Sequence, residues 1–255
     1  MEKWETALNS FLIDWKQRPE VTAAMVCGSY VTGNPSPRSD IDIHILLDDR
    51  VEWRERGNKV VDGFVIEYFA NPPKQIRKYF QEDFKNKRKM SMVQFLTGKV
   101  LFDRTSGVVE QLKSEAAQWK DKKYEQSNTT IKEIKKYSIW DSYDNLLDCF
   151  EHDRPDFQLV YNNALSHLFN DYSSFLGYQQ IPYYQLYSFL TNPIYHKKYL
   201  TNPFPDSQFS QLFIQAVEEN SKELMMESFK NLTDYVLEKM GGFHIDGWKI
   251  TSSVE

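Results

Sequence analysis

The residues best suited to chemistry in this sequence are Asp40 and Asp42, in Ser39-Asp40-Ile41-Asp42-Ile43-His44-Ile45. The strict polar/apolar alternation is the period of a half-buried strand, so both acids point to one face and Ile41, Ile43 and Ile45 to the other. Residues two apart on a strand are separated by roughly 6.5 Å at the backbone, close enough for their carboxylates to converge. Like charges that close repel, and a cation between them relieves the repulsion. With oxygen donors and no His/Cys partner set, the cation expected is Mg²⁺. The plain alternative is a solvated edge-strand face, against which the Ile/Leu-rich neighbours argue.

The elements that must position this pair can be read on either side of it. An apolar run ending in Met25-Val26-Cys27 reads as a buried strand over 21–27, and Gly28-Ser29 breaks it. A strand-to-helix turn exposes unpaired backbone N–H groups, the helix dipole adds positive potential, and glycine lets a phosphate approach the backbone. Gly28 and Ser29 are therefore phosphate-binding candidates. The Pro- and Gly-punctuated loop 33–38 leads to the strand 40–47, with Arg38 and Ser39 flanking the Asp pair as further phosphate contacts. Downstream, Asp62-Gly63 between apolar runs marks a hairpin. In its second arm Glu67 is the only charge, costly there unless paired or bound to a cation. Asp62 reads as turn chemistry instead.

Gly28-Ser29, ten residues, then Asp40-Ile41-Asp42 resembles the nucleotidyltransferase motif of the DNA polymerase β superfamily, over about residues 20–105. The resemblance implies that the Gly-Ser turn holds a triphosphate and that Asp40 and Asp42 hold two Mg²⁺ ions. It also implies a third metal acid on a later strand, matched here by Glu67. By size and helical remainder the chain is most similar to the aminoglycoside (kanamycin-type) and lincosamide nucleotidyltransferases. The implied reaction is transfer of a nucleoside monophosphate, AMP from ATP or the equivalent from another NTP, to a hydroxyl of a small molecule by a two-metal mechanism. A protein or RNA acceptor, as in toxin-paired members, is the alternative, followed by a non-catalytic nucleotide-binding protein. An antibiotic-resistance role would rest on analogy alone.

Residues 3–17 read as a helix whose Trp4, Leu8, Phe11 and Trp15 should lie on the sheet. A helix is expected from Asn71-Pro72-Pro73 through the basic cluster 74–89, and a last short strand over 97–103. The remainder reads as helices: 107–122, 127–151, 156–176, 181–190, 207–219 and 221–240, with a Pro-containing loop over 191–206. The fold class expected is α+β: a nucleotidyltransferase domain with a small mixed sheet over 1–105, then an all-α bundle over 106–255 that builds the acceptor wall. In that bundle Asp141, Asp144, Asp148 and Glu151 recur at spacings of three, four and three, one helix face that could receive a cationic acceptor. A solvated acidic stripe is the bland reading, slightly preferred. Lys197 and Lys198 are candidate triphosphate contacts, exposed lysines being the default. Tyr183, Tyr184 and Tyr187 are expected in the core, or stacked on a base.

Bulk properties narrow the class. The chain has 255 residues, is 41% hydrophobic and carries a net charge of −5, which argues against a long nucleic-acid footprint. A protein partner stays open. No apolar run approaches membrane-spanning length. Met1-Glu2-Lys3-Trp4 opens no signal-peptide pattern, so a cytoplasmic location is expected by default. Cys27 and Cys149 form no metal or disulfide framework and read as buried small hydrophobes.

Overall fold

The computed structural model describes residues 2–105, 107–125 and 128–251, so Ser106, placed at a helix start by the sequence, lies outside the described residues. The chain divides into two compact units, Met1–Lys122 and Lys123–Glu255.

The first unit is a five-stranded mixed sheet with helices on both faces. Its elements are α1 (Lys3–Gln17), β1 (Val21–Cys27), the single turn α2 (Ser29–Thr32), β2 (Ile41–Leu47), β3 (Glu55–Val61), β4 (Phe64–Asn71), α3 (Pro73–Lys85), α4 (Met90–Thr97), β5 (Lys99–Asp103) and α5 (Val108–Asp121). The strand order is β3-β4-β2-β1-β5. β2 runs parallel to β4 and antiparallel to β1, while β3 pairs antiparallel with β4 through the Asp62-Gly63 turn. Both turn residues have positive φ (50° and 82°), the conformation the Asp-Gly pair is chosen for.

Alternation along β2 sorts its side chains between two cores. Ile41, Ile43, Ile45 and Leu47 pack with Leu8, Phe11, Leu12 and Trp15 of α1, as the helical stripe predicts, and Trp4 covers the edge of that cluster. Leu46, with Ala23 and Met25 of β1, faces Ile76, Phe80, Met92, Phe95, Val109, Leu112 and Ala116 of α3, α4 and α5. On this second face burial falls along the strand: Leu46 is fully buried, His44 is 5% exposed and Asp42 is only partly buried. The helices cover one end of the face and leave the end with the acids accessible.

Two boundaries differ from the sequence reading. The basic helix does not continue to 89: it ends at Lys85, Lys87 turns left-handed (φ 53°), and a separate α4 begins at Met90. Asp83 accepts hydrogen bonds from the Ser91 backbone and hydroxyl, 2.8 and 2.6 Å, and closes that corner. In addition, α5, assigned by the 105/106 division to the helical half, packs on α3 and α4 and belongs to the first unit. The Arg77–Glu115 pair (2.8 and 3.0 Å) ties α3 to it.

The second unit is helical: α6 (Thr129–Glu151), α7 (Phe157–Phe175), a 3-10 turn at 183–185, α8 (Leu186–Thr191), α9 (Pro193–Tyr199), α10 (Ser207–Glu218) and α11 (Lys222–Lys239). Its core is aromatic. Phe169 has ring neighbours Phe204, Phe213 and Phe209 at 5.2, 5.3 and 5.8 Å. α9 lies where a loop is expected; Asn192 caps it by accepting from the Ile194 N–H (2.9 Å), and Pro193 is tolerated in a first turn whose N–H groups need no intrahelical partner. Tyr183, Tyr184 and Tyr187 are exposed rather than core. No helix among the described residues is long and apolar enough to cross a membrane.

Candidate active site

Asp42 stands where three strands meet. Its register partners are Cys27 at the end of β1 and Glu67 in β4. Paired strand residues point to the same face, so Glu67 lies beside Asp42, and Asp40, two residues earlier, joins them just before β2 begins. One carboxylate oxygen from each of Asp40, Asp42 and Glu67 lies within 4.8 Å of the others, and all three residues are partly buried. Oxygens sharing one octahedral Mg²⁺ at about 2.1 Å stand roughly 3 Å apart when adjacent and 4 Å when opposite. The observed spacing is that of an acid cluster a divalent ion would draw in, and an all-oxygen donor set fits a hard cation.

Gly28 is pressed against this cluster. A Cβ built on it would lie 2.0 Å from Asp42 Oδ2, and its φ of +76° belongs to glycine. The close approach brings the backbone of the turn directly against the carboxylate. Ser29 follows at the start of α2, 92% buried. Because α2 has only four residues, the dipole expected behind the turn is a single turn's worth; backbone N–H groups and the Ser29 hydroxyl remain as donors toward an anion. The loop to Asp40 is held by its own bonds: Ser39 Oγ accepts from the Ser36 N–H (2.8 Å), and the Arg38 N–H donates to Ser36 Oγ (3.2 Å). The Arg38 side chain is exposed.

The floor of the site is apolar and neutral. His44, on the same face as Asp42, lies between Phe69 (5.3 Å) and Phe95 (4.9 Å), with Nε2 3.2 Å from Gln94 Oε1. Burial pushes its pKa down to about 4, against the opposing Gln94 bond, so the ring is uncharged at neutral pH. Cys27 is fully buried. Burial first, and then the charges of Asp42, Asp40 and Glu67, push its thiol well up. The thiol therefore stays protonated beneath the acids and acts as packing.

One residue that sequence reasoning missed completes the cluster. Arg56 of β3 donates from Nε (3.1 Å) and Nη2 (2.6 Å) to Glu67 Oε1, and its guanidinium lies 4.8 Å from the Phe69 ring centre. The signal was present. With Asp62-Gly63 as the turn, counting back along the hairpin puts Asn58 opposite Glu67 and Arg56 two residues away on the same face.

The remaining candidates lie in the second unit. Asp141, Asp144, Asp148 and Glu151 do share α6, yet they are not four free acids. Asp141 accepts from Tyr137 (3.4 Å) and Asn145 (3.0 Å), and Asp148 pairs with His152 (3.2 Å) and Arg154 (3.7 Å). Asp144 and Glu151 are exposed. Lys197 and Lys198 occupy the last turn of α9; Lys197 is exposed and Lys198 packs over Tyr199.

Residues 14–67, spanning β1, the Gly28-Ser29 turn, the Asp pair and Glu67, match the family model described as polymerase beta, nucleotidyltransferase. Within the first unit, these residues are therefore similar to a polymerase β-type nucleotidyltransferase segment. Among solved structures, a nucleotidyltransferase-like protein from Exiguobacterium sibiricum aligns over 92% of this chain and 75% of its own length, at 11% identity and a TM-score of 0.45. No curated protein matches the chain. The nucleotidyltransferase match ends at Glu67, so it includes the third acid and Arg56 and leaves out the helices that bury the other end of the face.

Proposed function

We propose that the protein transfers a nucleoside monophosphate, AMP from ATP, to a hydroxyl group of a small molecule. The observation that carries the reading is the meeting of Asp40, Asp42 and Glu67 within 4.8 Å, directly against the Gly28 backbone. A carboxylate set able to hold divalent ions and a turn able to receive phosphate would be the two halves of a nucleotidyl-transfer site, and the two lie against each other.

Asp40 and Asp42 would hold two divalent ions, with Glu67 as the third ligand, and such ions lower the pKa of an attacking hydroxyl and offset charge on the pyrophosphate. The protein's own groups do the rest. The Gly28-Ser29 turn would offer backbone N–H donors to the phosphate chain beside the acids. Arg38 and Ser39 stand in the loop leading to Asp40 and would contact the phosphates from that side. The floor of His44, Phe95 and the partly buried Phe69 packs beneath the acids and would favour carboxylates that need little reorganisation when the ligand arrives. Asp144 and Glu151, exposed on α6, are candidate contacts for a cationic ligand of the helical unit.

The test is a pyrophosphate-release screen with ATP and GTP plus Mg²⁺ against hydroxylated small molecules, aminoglycosides and lincosamides included. Release that depends on an acceptor, and disappears in Asp42→Asn, supports the reading. Release that appears only with a protein acceptor would move the chemistry to a protein substrate. Absence of Mg-ATP binding by calorimetry would reject nucleotidyl transfer.

A further inference from the structure

The mechanism just proposed has no task for Arg56, although its Nη2 lies 2.6 Å from Glu67 Oε1. Both of its donors converge on Glu67 Oε1, leaving Oε2 outside the pair. The two partners differ in exposure: the Glu67 side chain is 17% exposed and that of Arg56 is 69%. The carboxylate is thus the fixed member, and the guanidinium is a long, solvent-facing arm resting over Phe69.

Three carboxylates within 4.8 Å of one another carry a charge the fold must tolerate when no cation is bound. Arg56 neutralises one of them. A divalent ion entering the cluster competes with the guanidinium for Glu67 and is repelled by it at close range. A planar guanidinium released from a carboxylate has a fork that matches phosphate oxygens equally well. A metal–nucleotide brings both the cation Glu67 needs and the anion Arg56 needs, whereas a free metal brings only the first.

Resting on the nucleotidyl-transfer reading, we propose that Arg56 is an exchangeable counter-ion. It holds Glu67 in the empty site and passes to the phosphate chain when metal and nucleotide arrive together. The site would thereby prefer the metal–nucleotide complex over free metal. Arg56 is in this role a phosphate-binding residue and, through Glu67, a brake on loading by metal alone.

The role predicts opposite shifts in two equilibria. Mn²⁺ binding without nucleotide, followed by electron paramagnetic resonance, should become about tenfold tighter in Arg56→Gln, because the repelling charge is gone. Binding of a non-hydrolysable ATP analogue with Mg²⁺, followed by calorimetry, should become about tenfold weaker in the same variant, because a charge-assisted bond is lost. Arg56→Lys, a point charge without the fork, should fall between wild type and Gln on both axes. Because Arg56 is largely exposed, a wild-type circular dichroism spectrum checks that the variants are folded, even where loss of the counter-charge lowers the melting temperature. If Arg56→Gln shifts both affinities in one direction, or shifts neither, the exchange is refuted. If Asp42→Asn loses Mn²⁺ while Arg56→Gln binds like wild type on both axes, only the Arg56 role falls. Equal Mn²⁺ binding by wild type and Asp42→Asn would overturn the metal-site reading and this inference with it.

Discussion

Replacing Gly28 by Ala tests the contact on which the site is built. Gly28 has φ 76° and ψ −157°, a region open essentially to glycine alone, so a side chain there costs about 1–3 kcal/mol in backbone strain. The new Cβ would also stand 2.0 Å from Oδ2, 3.0 Å from Cγ and 3.4 Å from Cβ of Asp42. Turning the Asp42 carboxylate aside, off its rotamer, adds about 0.5–1.5 kcal/mol. The sum of about 1.5–4.5 kcal/mol should lower the melting midpoint of the first unit by about 10 °C. The informative comparison is a double-mutant cycle in urea with Gly28→Ala, Asp42→Ala and both together. Strain at φ 76° persists in the double variant, but Oδ2 and Cγ are gone, so it should be more stable than the summed single effects by about 1 kcal/mol. Mn²⁺ binding should be lost in Gly28→Ala, because the displaced carboxylate no longer faces its partners. Additivity within about 0.4 kcal/mol would mean that residues 28 and 42 do not touch, and the argument for a phosphate-approach turn set against the acids would fail.

Asp40→Asn and Asp42→Asn should each abolish nucleotidyl transfer while leaving the circular dichroism spectrum and melting point near wild type, since each removes one charge from a cluster of like charges; turnover at near-normal rates would reject their role. In the second unit Asp206 accepts from the Phe209 N–H (2.9 Å), Tyr172 (2.6 Å) and Tyr235 (2.9 and 3.0 Å), capping α10 and joining it to α7 and α11. Asp206→Ala should cost about 2–4 kcal/mol by urea denaturation, as a cap is lost and the buried Tyr172 hydroxyl is orphaned, with Asp206→Asn recovering part of it. Burial pushes the Asp206 pKa up, but the bonds from Phe209, Tyr172 and Tyr235 outweigh it and hold the group below the ordinary value of 3.8. A carboxylate depressed on folding contributes stability above its unfolded pKa and loses it as pH falls through the folded value. Stability of the wild type should therefore decline more steeply than that of Asp206→Asn as pH falls below about 4.

Much of the first unit could be read from periodicity and turn chemistry. The α1 stripe, the β2 alternation and the Asp62-Gly63 hairpin are local patterns, and each element forms within a residue or two of its expected position. The α3–α4 break could not be read that way. It depends on a left-handed Lys87 and on Asp83 reaching across to Ser91, a bond that exists only once both helices are docked. The same holds for α5, whose pattern says helix and does not say which core Leu112 and Ala116 will fill. The exposed tyrosines 183, 184 and 187 show the converse: hydrophobic type without periodicity does not decide burial.

The sequence by itself determined which residue types were present for metal and phosphate, the sheet face that Asp40 and Asp42 would share, and the turn that would stand before them. Those are properties of single segments, set by a two-residue period and by where glycine interrupts it. Only the tertiary structure decided that Glu67 comes level with Asp42, that Gly28 touches the same carboxylate, and that Arg56 already holds one of the three acids. These depend on how β4 registers on β2 and β3 on β4. Register is fixed by burying apolar side chains on both faces of the whole sheet at once, which no one segment encodes.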